Sequence, residues 1–256
     1  MKTNFLLTTL ILSLSLSFCS YYSYSQQLNI VEYGDTLNRL DSNGQKDGRW
    51  KELYGSGHQY GYYKNGQKTG TWVSYMQDGK VQMAVEYKNN RRNGFYFLID
   101  QEGQLRNTLF FKNDSLHGPN IAYSEDGSMT FYREFKMNAL HGDYRKYYEN
   151  GNLILNLTYV DGEIDSTAQY YYQNGVLMAE ITYSMGVFNG TYTTWHKNKM
   201  KRSETTYING DQVGQYIEYW ENGKVKESGE YVAGLKEGKW YEFDEEGNKT
   251  QVRTYK

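Results

Sequence analysis

Between Val81 and Tyr87 the chain alternates: Val81, Met83, Val85 and Tyr87 are apolar, and Gln82 and Glu86 between them are polar. The same period returns at Leu153, Leu155, Leu157 and Tyr159, with Thr158 among the intervening residues. A period of two predicts a β-strand with one drier face, because successive side chains leave opposite sides of the pleat. Each alternating run follows a pair such as Asp78-Gly79 or Asn150-Gly151. Such pairs between alternating runs are the strongest short-range hairpin signal, since they tolerate the left-handed backbone of a tight turn. The run before the turn, for example DYRKYYE at 143–149, is short and aromatic and predicts the partner strand. No segment carries a convincing helical period.

The hairpin recurs. From Asn65 the chain divides into eight units of 24 residues that end at Lys256. They begin at Asn65, Asn89, Asn113, Met137, Asp161, Met185, Asn209 and Ala233, and a shorter ninth copy, residues 43–64, precedes them. Position 2 holds only Gly, Asn or Asp, the residues that best tolerate a left-handed backbone. Position 6 is Gly except at Ser166, and position 15 is Gly except at Lys199. Positions 14 and 15 then predict a two-residue turn, and positions 1 to 6 a connecting loop. With that turn, positions 8, 10 and 12 pair with 21, 19 and 17 and share their face. Position 8 is aromatic except at Asn120 and Ala168, and position 23 is aromatic from Tyr87 to Tyr255, so one face carries a nearly continuous row of rings. Position 11 falls on the other face: Tyr75, Ile99, Tyr123, Tyr147, Tyr171, Trp195, Tyr219 and Phe243. The expected fold is all-β: an elongated, twisted, single-layer antiparallel meander of about nine hairpins, stabilised between neighbours.

Composition sharpens this picture. Tyr occurs 28 times, Gly 26 times and Pro once, which favours β-structure rich in turns. A mean hydropathy of -0.84 leaves little for a conventional core, and Tyr resolves the tension by packing its ring while its hydroxyl stays wet. With 28 basic against 30 acidic residues, there is no general electrostatic case for nucleic acid or an anionic membrane.

The N-terminus reads as a processing segment. Lys2 precedes a short apolar run from Phe5 to Phe18, and cleavage after Ser25 leaves Gln26 first. The expected organisation is a signal peptide over 1–25, a leader over 26–42 and the repeat domain over 43–256. Export to the periplasm, cell surface or medium follows, with no transmembrane segment in the mature chain. Cys19, the one cysteine, ends the apolar run, and Phe18 before it is a poor fit to a lipidation signal, which normally has a small residue there.

Candidate chemistry is sparse. His117 and His141 share position 5 of consecutive units, about 10 Å apart along a sheet, too far to share a metal. The acidic residues of the turns serve the turns, and an open sheet offers no cleft for a carboxylate pair. The expectation is a protein that is no enzyme, with no catalytic residue, metal or cofactor. Rings at position 11, standing among polar neighbours, are the candidate partner-binding residues: Tyr75, Tyr123, Tyr147, Tyr171, Trp195, Tyr219 and Phe243.

The segments NGKVKESGEYVAGLKEGKWYEFDEEG, 222–247, and DGKVQMAVEYKNNRRNGFYFLIDQEG, 78–103, resemble the bacterial variant of the MORN repeat, and the resemblance runs from Asn43 to Lys256. It implies a hairpin-repeat scaffold that docks another protein. Chains similar to this one are commonly labelled antitoxins of toxin–antitoxin pairs, which also implies a protein partner. The alternative is a module that binds cell-wall glycan on its aromatic rows.

Overall fold

A computed structural model describes residues 37–256. The apolar run, the cleavage site at Ser25, Cys19 and the first part of the leader lie outside the described residues. Within 37–256 the strands form one open sheet without a helix, each strand pairing antiparallel with its neighbours in the chain from Gly48–Tyr54 to Lys249–Tyr255. Substantial contacts run between strands adjacent in the meander, so the sheet is a single layer. Of its 20 strands, Ser115–Leu116 with Gly118–Tyr123, and Glu163–Ile164 with Thr167–Tyr171, are each one strand interrupted at the bulge described below. Nine hairpins result, as the repeat predicts. Part of the expected leader already pairs: Leu40 bridges Lys46, and Asn38 donates its N–H to the Arg49 carbonyl at 2.9 Å.

The two turn types exchange the places that the sequence suggests. The two-residue turn sits at positions 1 and 2, where both residues are left-handed: Asn65 and Gly66 have φ of 50° and 72°, Asn89 and Asn90 52° and 64°. Lys88 pairs directly with Arg91 across it. Positions 3 to 6, expected to be loop, belong mostly to strand. Positions 14 and 15 instead finish a four-residue turn, in which the Gly79 N–H reaches the Met76 carbonyl at 3.0 Å and the Met76 N–H reaches Lys80 at 2.8 Å. Only position 15 is left-handed there. The physical reason lies in the position-14 side chain. Asn150 Oδ1 accepts the N–H of Asn152 at 3.1 Å and Asp78 Oδ1 that of Lys80 at 3.0 Å, a local bond that holds residue 14 out of the left-handed region. Where position 14 is Glu, at Glu102 and Glu246, the longer side chain yields the task to position 12: Asp100 Oδ1 accepts from Gln104 at 2.8 Å and Asp244 Oδ1 from Asn248 at 2.7 Å.

The register follows from this. Trp72 pairs with Val85 and Ser74 with Met83, as expected for positions 8 and 10. Tyr75 then pairs with Val81, so position 11 rather than 12 meets position 17, and the longer turn is absorbed as a bulge. A second bulge falls at positions 5 to 7, where Leu140 pairs with Phe135 but Tyr144 with Arg133. Its centre is the position-6 Gly. A Cβ built on Gly94 would collide with the Glu86 carboxylate that folds over it. At Ser166 the exception is repaired locally, since its Oγ accepts the Thr158 N–H at 2.9 Å, and here the strand breaks.

Rings tie the hairpins together across one face. Trp50, Tyr63, Trp72 and Tyr87 follow one another at centroid distances of 5.7, 5.1 and 6.4 Å, all edge to face. Tyr216, Tyr231, Trp240 and Tyr255 do the same at 5.8, 5.0 and 6.2 Å. Each such pair adds about 0.5–1.5 kcal/mol beyond its buried area. Burial pushes the Tyr183 hydroxyl up to about 12, helped by its hydrogen bond with Tyr170. Trp72 and Trp240 are the deepest, 0% and 2% exposed. Their burial in a single layer has a common design. Each indole lies over a glycine, Gly61 or Gly229, and donates to a backbone carbonyl of the preceding strand at 3.3 Å. Each is covered by the position-4 lysine, Lys68 or Lys236, whose Nζ stands 3.7 Å from the ring. The lysine stem replaces the missing second layer. The row is interrupted at Asn120 and Ala168, both buried.

Two predictions follow from this packing. Gly229→Ala places a methyl group where the Trp240 ring lies, and overpacking of this kind costs about 1–3 kcal/mol, read as a lower urea midpoint; an unchanged midpoint contradicts the stacking described. Burial raises the Glu86 carboxyl above the usual range, and its bond from the Phe95 N–H only partly offsets this. The folded state therefore binds the extra proton, and stability falls as pH rises from the ordinary carboxyl pKa through the raised one. Glu86→Gln keeps an acceptor for Phe95 and removes that slope. The variant melts higher than the parent at pH 7 but not at pH 3.5, about one unit below the ordinary value.

Candidate functional site

The seven candidate rings occupy equivalent places at the ends of strands beside the four-residue turns. Their contacts put them on the face opposite the main ring row: Tyr75 lies edge-on to Tyr60 at 5.7 Å, the Tyr171 hydroxyl donates to Gln169 Oε1 at 3.0 Å, and Tyr123 bonds the Thr108 side chain. All seven are half-buried. Burial raises the Tyr123 and Tyr171 hydroxyls, so both stay protonated and able to donate. The repeat brings these rings into one row but does not converge them on a point.

Position 12, overlooked in the sequence, fastens that row. Its side chain donates to the position-11 carbonyl of the next unit: Tyr148 to Tyr171 at 3.0 Å, Tyr172 to Trp195 at 2.9 Å and Trp220 to Phe243 at 3.1 Å. His196 Nε2 lies 2.9 Å from the Tyr219 carbonyl in the same way. Position 14 repeats the device, with the amides of Asn150, Asn198 and Asn222 reaching the carbonyls of Gln173, Glu221 and Glu245 at 2.9, 2.8 and 2.9 Å. The signal was legible as a run of hydrogen-bond donors, Tyr148, Tyr172, His196 and Trp220, spaced by 24.

The opposite edge, where the two-residue turns stand in line, was also overlooked. Its first four tips begin with exposed lysines, Lys64, Lys88, Lys112 and Lys136, and Arg91 adds a further cation. From Val160 onward the edge is apolar and exposed: Val160 at 42%, Met185 at 76%, Val187 at 45%, Ile208 at 53%, Val232 at 47% and Leu235 at 73%. Exposed Asp161, Glu163 and Asp211 flank it. Successive tips are joined by backbone bonds, Gly210 to Phe188 at 2.8 Å and Gly234 to Gln212 at 3.0 Å. The change in character could have been read at position 24, where Lys gives way to Val160, Ser184, Ile208 and Val232.

The ionisable groups serve the fold. Burial alone would push the Glu52 carboxyl up, but Lys46 at 2.6 Å, the Tyr63 hydroxyl at 2.8 Å and Lys68 at 3.2 Å hold it below the ordinary range. His141 Nδ1 accepts the Asp161 N–H at 3.2 Å, a turn contact that Asn93 and Asn189 make from the same position. Among the described residues no group of three or more His, Cys, Asp or Glu is arranged to hold a metal, and no helix is long and apolar enough to cross a membrane.

Comparison with protein families agrees with the repeat geometry. The model of the MORN repeat variant matches at residues 68–89, 140–161, 165–185, 212–233 and 236–256. Each match starts at position 4 or 5 and spans the strand, the four-residue turn and the returning strand. No curated protein matches the chain. The units between the matches pair in the same register, including the one interrupted at His117. The chain carries five repeats of the MORN variant type, and the units between them share their hairpin geometry.

Proposed function

We propose that this is an exported, non-enzymatic scaffold whose two-residue-turn edge docks another protein. The observation that carries the reading is the line of six exposed apolar side chains from Val160 to Leu235. A line of uncovered apolar side chains, here interspersed with Glu163 and Asp211, suits an interaction site. The hairpin tips carrying it are hydrogen-bonded to one another, so the surface is preorganised and little ordering entropy opposes docking. Asp161, Glu163 and Asp211 among these side chains suit a partner whose apolar contact is interspersed with basic side chains. Export rests on the processing segment before Gln26. An antitoxin role, the label that similar chains bear, is one instance of such docking, with a toxin as the protein on the edge.

The position-11 rings are spread along the sheet, and the ionisable groups around them are engaged in turns and ion pairs. They remain a second contact row on the far face.

The test is site-specific crosslinking. A photoreactive side chain at Met185 or Leu235 traps one protein in stoichiometric yield from an envelope extract, and the same group at Lys249 does not. Met185→Lys with Leu235→Lys abolishes the adduct without lowering the melting temperature, since both side chains are already exposed. Equal trapping from all three sites, or an adduct indifferent to the lysines, overturns the proposal.

A further inference from the structure

Between the fifth and sixth four-residue turns one of the two stitches found on either side is missing: Tyr172 still donates to the Trp195 carbonyl at 2.9 Å, but the position-14 amide does not reach across. Four asparagines occupy position 14. Asn150, Asn198 and Asn222 each send the side-chain amide to the next turn. Asn174 keeps its Oδ1 on the Val176 N–H at 3.1 Å, but among the described hydrogen bonds its amide makes none to Lys197, the equivalent acceptor. An open depression of about 340 Å³ lies at this gap, lined by Asn174, Gly175, Val176, Leu177, Trp195 and Lys199.

Two of those residues depart from the repeat. Trp195 is the one tryptophan at position 11, where six other units have Tyr or Phe and one has Ile99. Lys199 stands where every other unit has Gly, and it holds the left-handed backbone that the turn demands, with φ of 72°. A lysine there is strained. The turn gains nothing from the substitution, because its hydrogen bonds, Lys199 N–H to His196 at 3.0 Å and His196 N–H to Met200 at 2.9 Å, repeat those of the glycine-bearing turns. Met137, Asp161, Met185 and Ala233 are also left-handed, but at two-residue turns; Lys199 is the non-glycine at position 15 of a four-residue turn, and it lies beside a depression and an unstitched amide, which suits a side chain that is itself used.

We infer that Asn174, Trp195 and Lys199 form a binding site for an acidic saccharide, a sugar ring bearing a carboxylate or phosphate. The indole of Trp195 supplies a flat apolar surface for the ring. The exposed Lys199 ammonium supplies the countercharge, and Lys197 in the same turn adds a second cation. The Asn174 amide offers a donor to a ring hydroxyl or to the acid group. Glu204 draws Lys201 away to an ion pair at 2.5 Å, which leaves Lys197 and Lys199 as the cations of this turn. The site is at the four-residue-turn end, away from the apolar edge, so it stands independently of the protein-docking proposal.

Calorimetric titration of the mature protein with a tetramer of D-glucuronic acid, with maltotetraose and with inorganic phosphate tests the site. The acidic tetramer binds at least about tenfold more tightly than either of the others, and Trp195→Ala removes that binding. Lys199→Gly is the decisive variant. It relieves the strained backbone and raises the melting temperature while weakening the acidic tetramer about tenfold, so loss of binding cannot be loss of fold. Failure of the acidic tetramer to bind at up to about 10 mM overturns the inference, as does phosphate binding as tightly or unchanged affinity in Lys199→Gly.

Discussion

A single-layer sheet has no interior, so each hairpin must be fixed by the hairpins on either side of it. That constraint explains the composition of this chain better than any functional demand. Every turn has to satisfy its backbone groups locally or on the next turn, and the repeat does both at each end of the strands. At one end the position-2 N–H bonds the carbonyl of the previous unit's strand, from Gly66 on Lys46 at 2.9 Å to Gly234 on Gln212 at 3.0 Å. At the other, from Tyr148 to Asn222, side chains at positions 12 and 14 donate forward to the next turn. Between the ends, rings meet rings. Tyr serves because it can contact a ring in each neighbouring hairpin and still leave its hydroxyl at the surface.

The same constraint shapes burial. Trp72 and Trp240 reach full burial only because a glycine beneath and a lysine stem above enclose each of them. These are small enclosed sites repeated along a ribbon, and the largest, Tyr63 with Trp72, Met83 and Val85, spans three adjacent strands. Stability in such an array is a sum of neighbour terms, with no contact that holds the whole together.

Much of this was legible in the sequence. A 24-residue period with alternating apolar positions established the strands, the antiparallel order, the face of the position-8 and position-23 rings and the pairing of positions 8 and 10. The turn assignment was not legible, because Asn-Gly suits both a two-residue turn and the end of a longer one. The deciding feature was the position-14 side chain bonding two residues ahead, a competition between local hydrogen bonds that composition does not reveal. The candidate rings were placed on the correct face, yet sequence gave them no more weight than the repeat gives any conserved ring position. What distinguishes sites here is departure from the repeat: Val160 and Ile208 in a lysine position, Lys199 in a glycine position, Asn174 without its stitch. Those departures acquire meaning only when the unbroken pattern around them is seen in three dimensions.

Native-state hydrogen exchange on the full chain tests the central claim most directly. If hairpins are held by their neighbours, amide protection is graded along the sheet: lowest in Lys249–Tyr255, which has one neighbour, higher in strands with two, and highest beside Trp72. A single common protection for all strand amides, equal to the global unfolding free energy, would contradict it, because that result requires a core shared by the whole sheet.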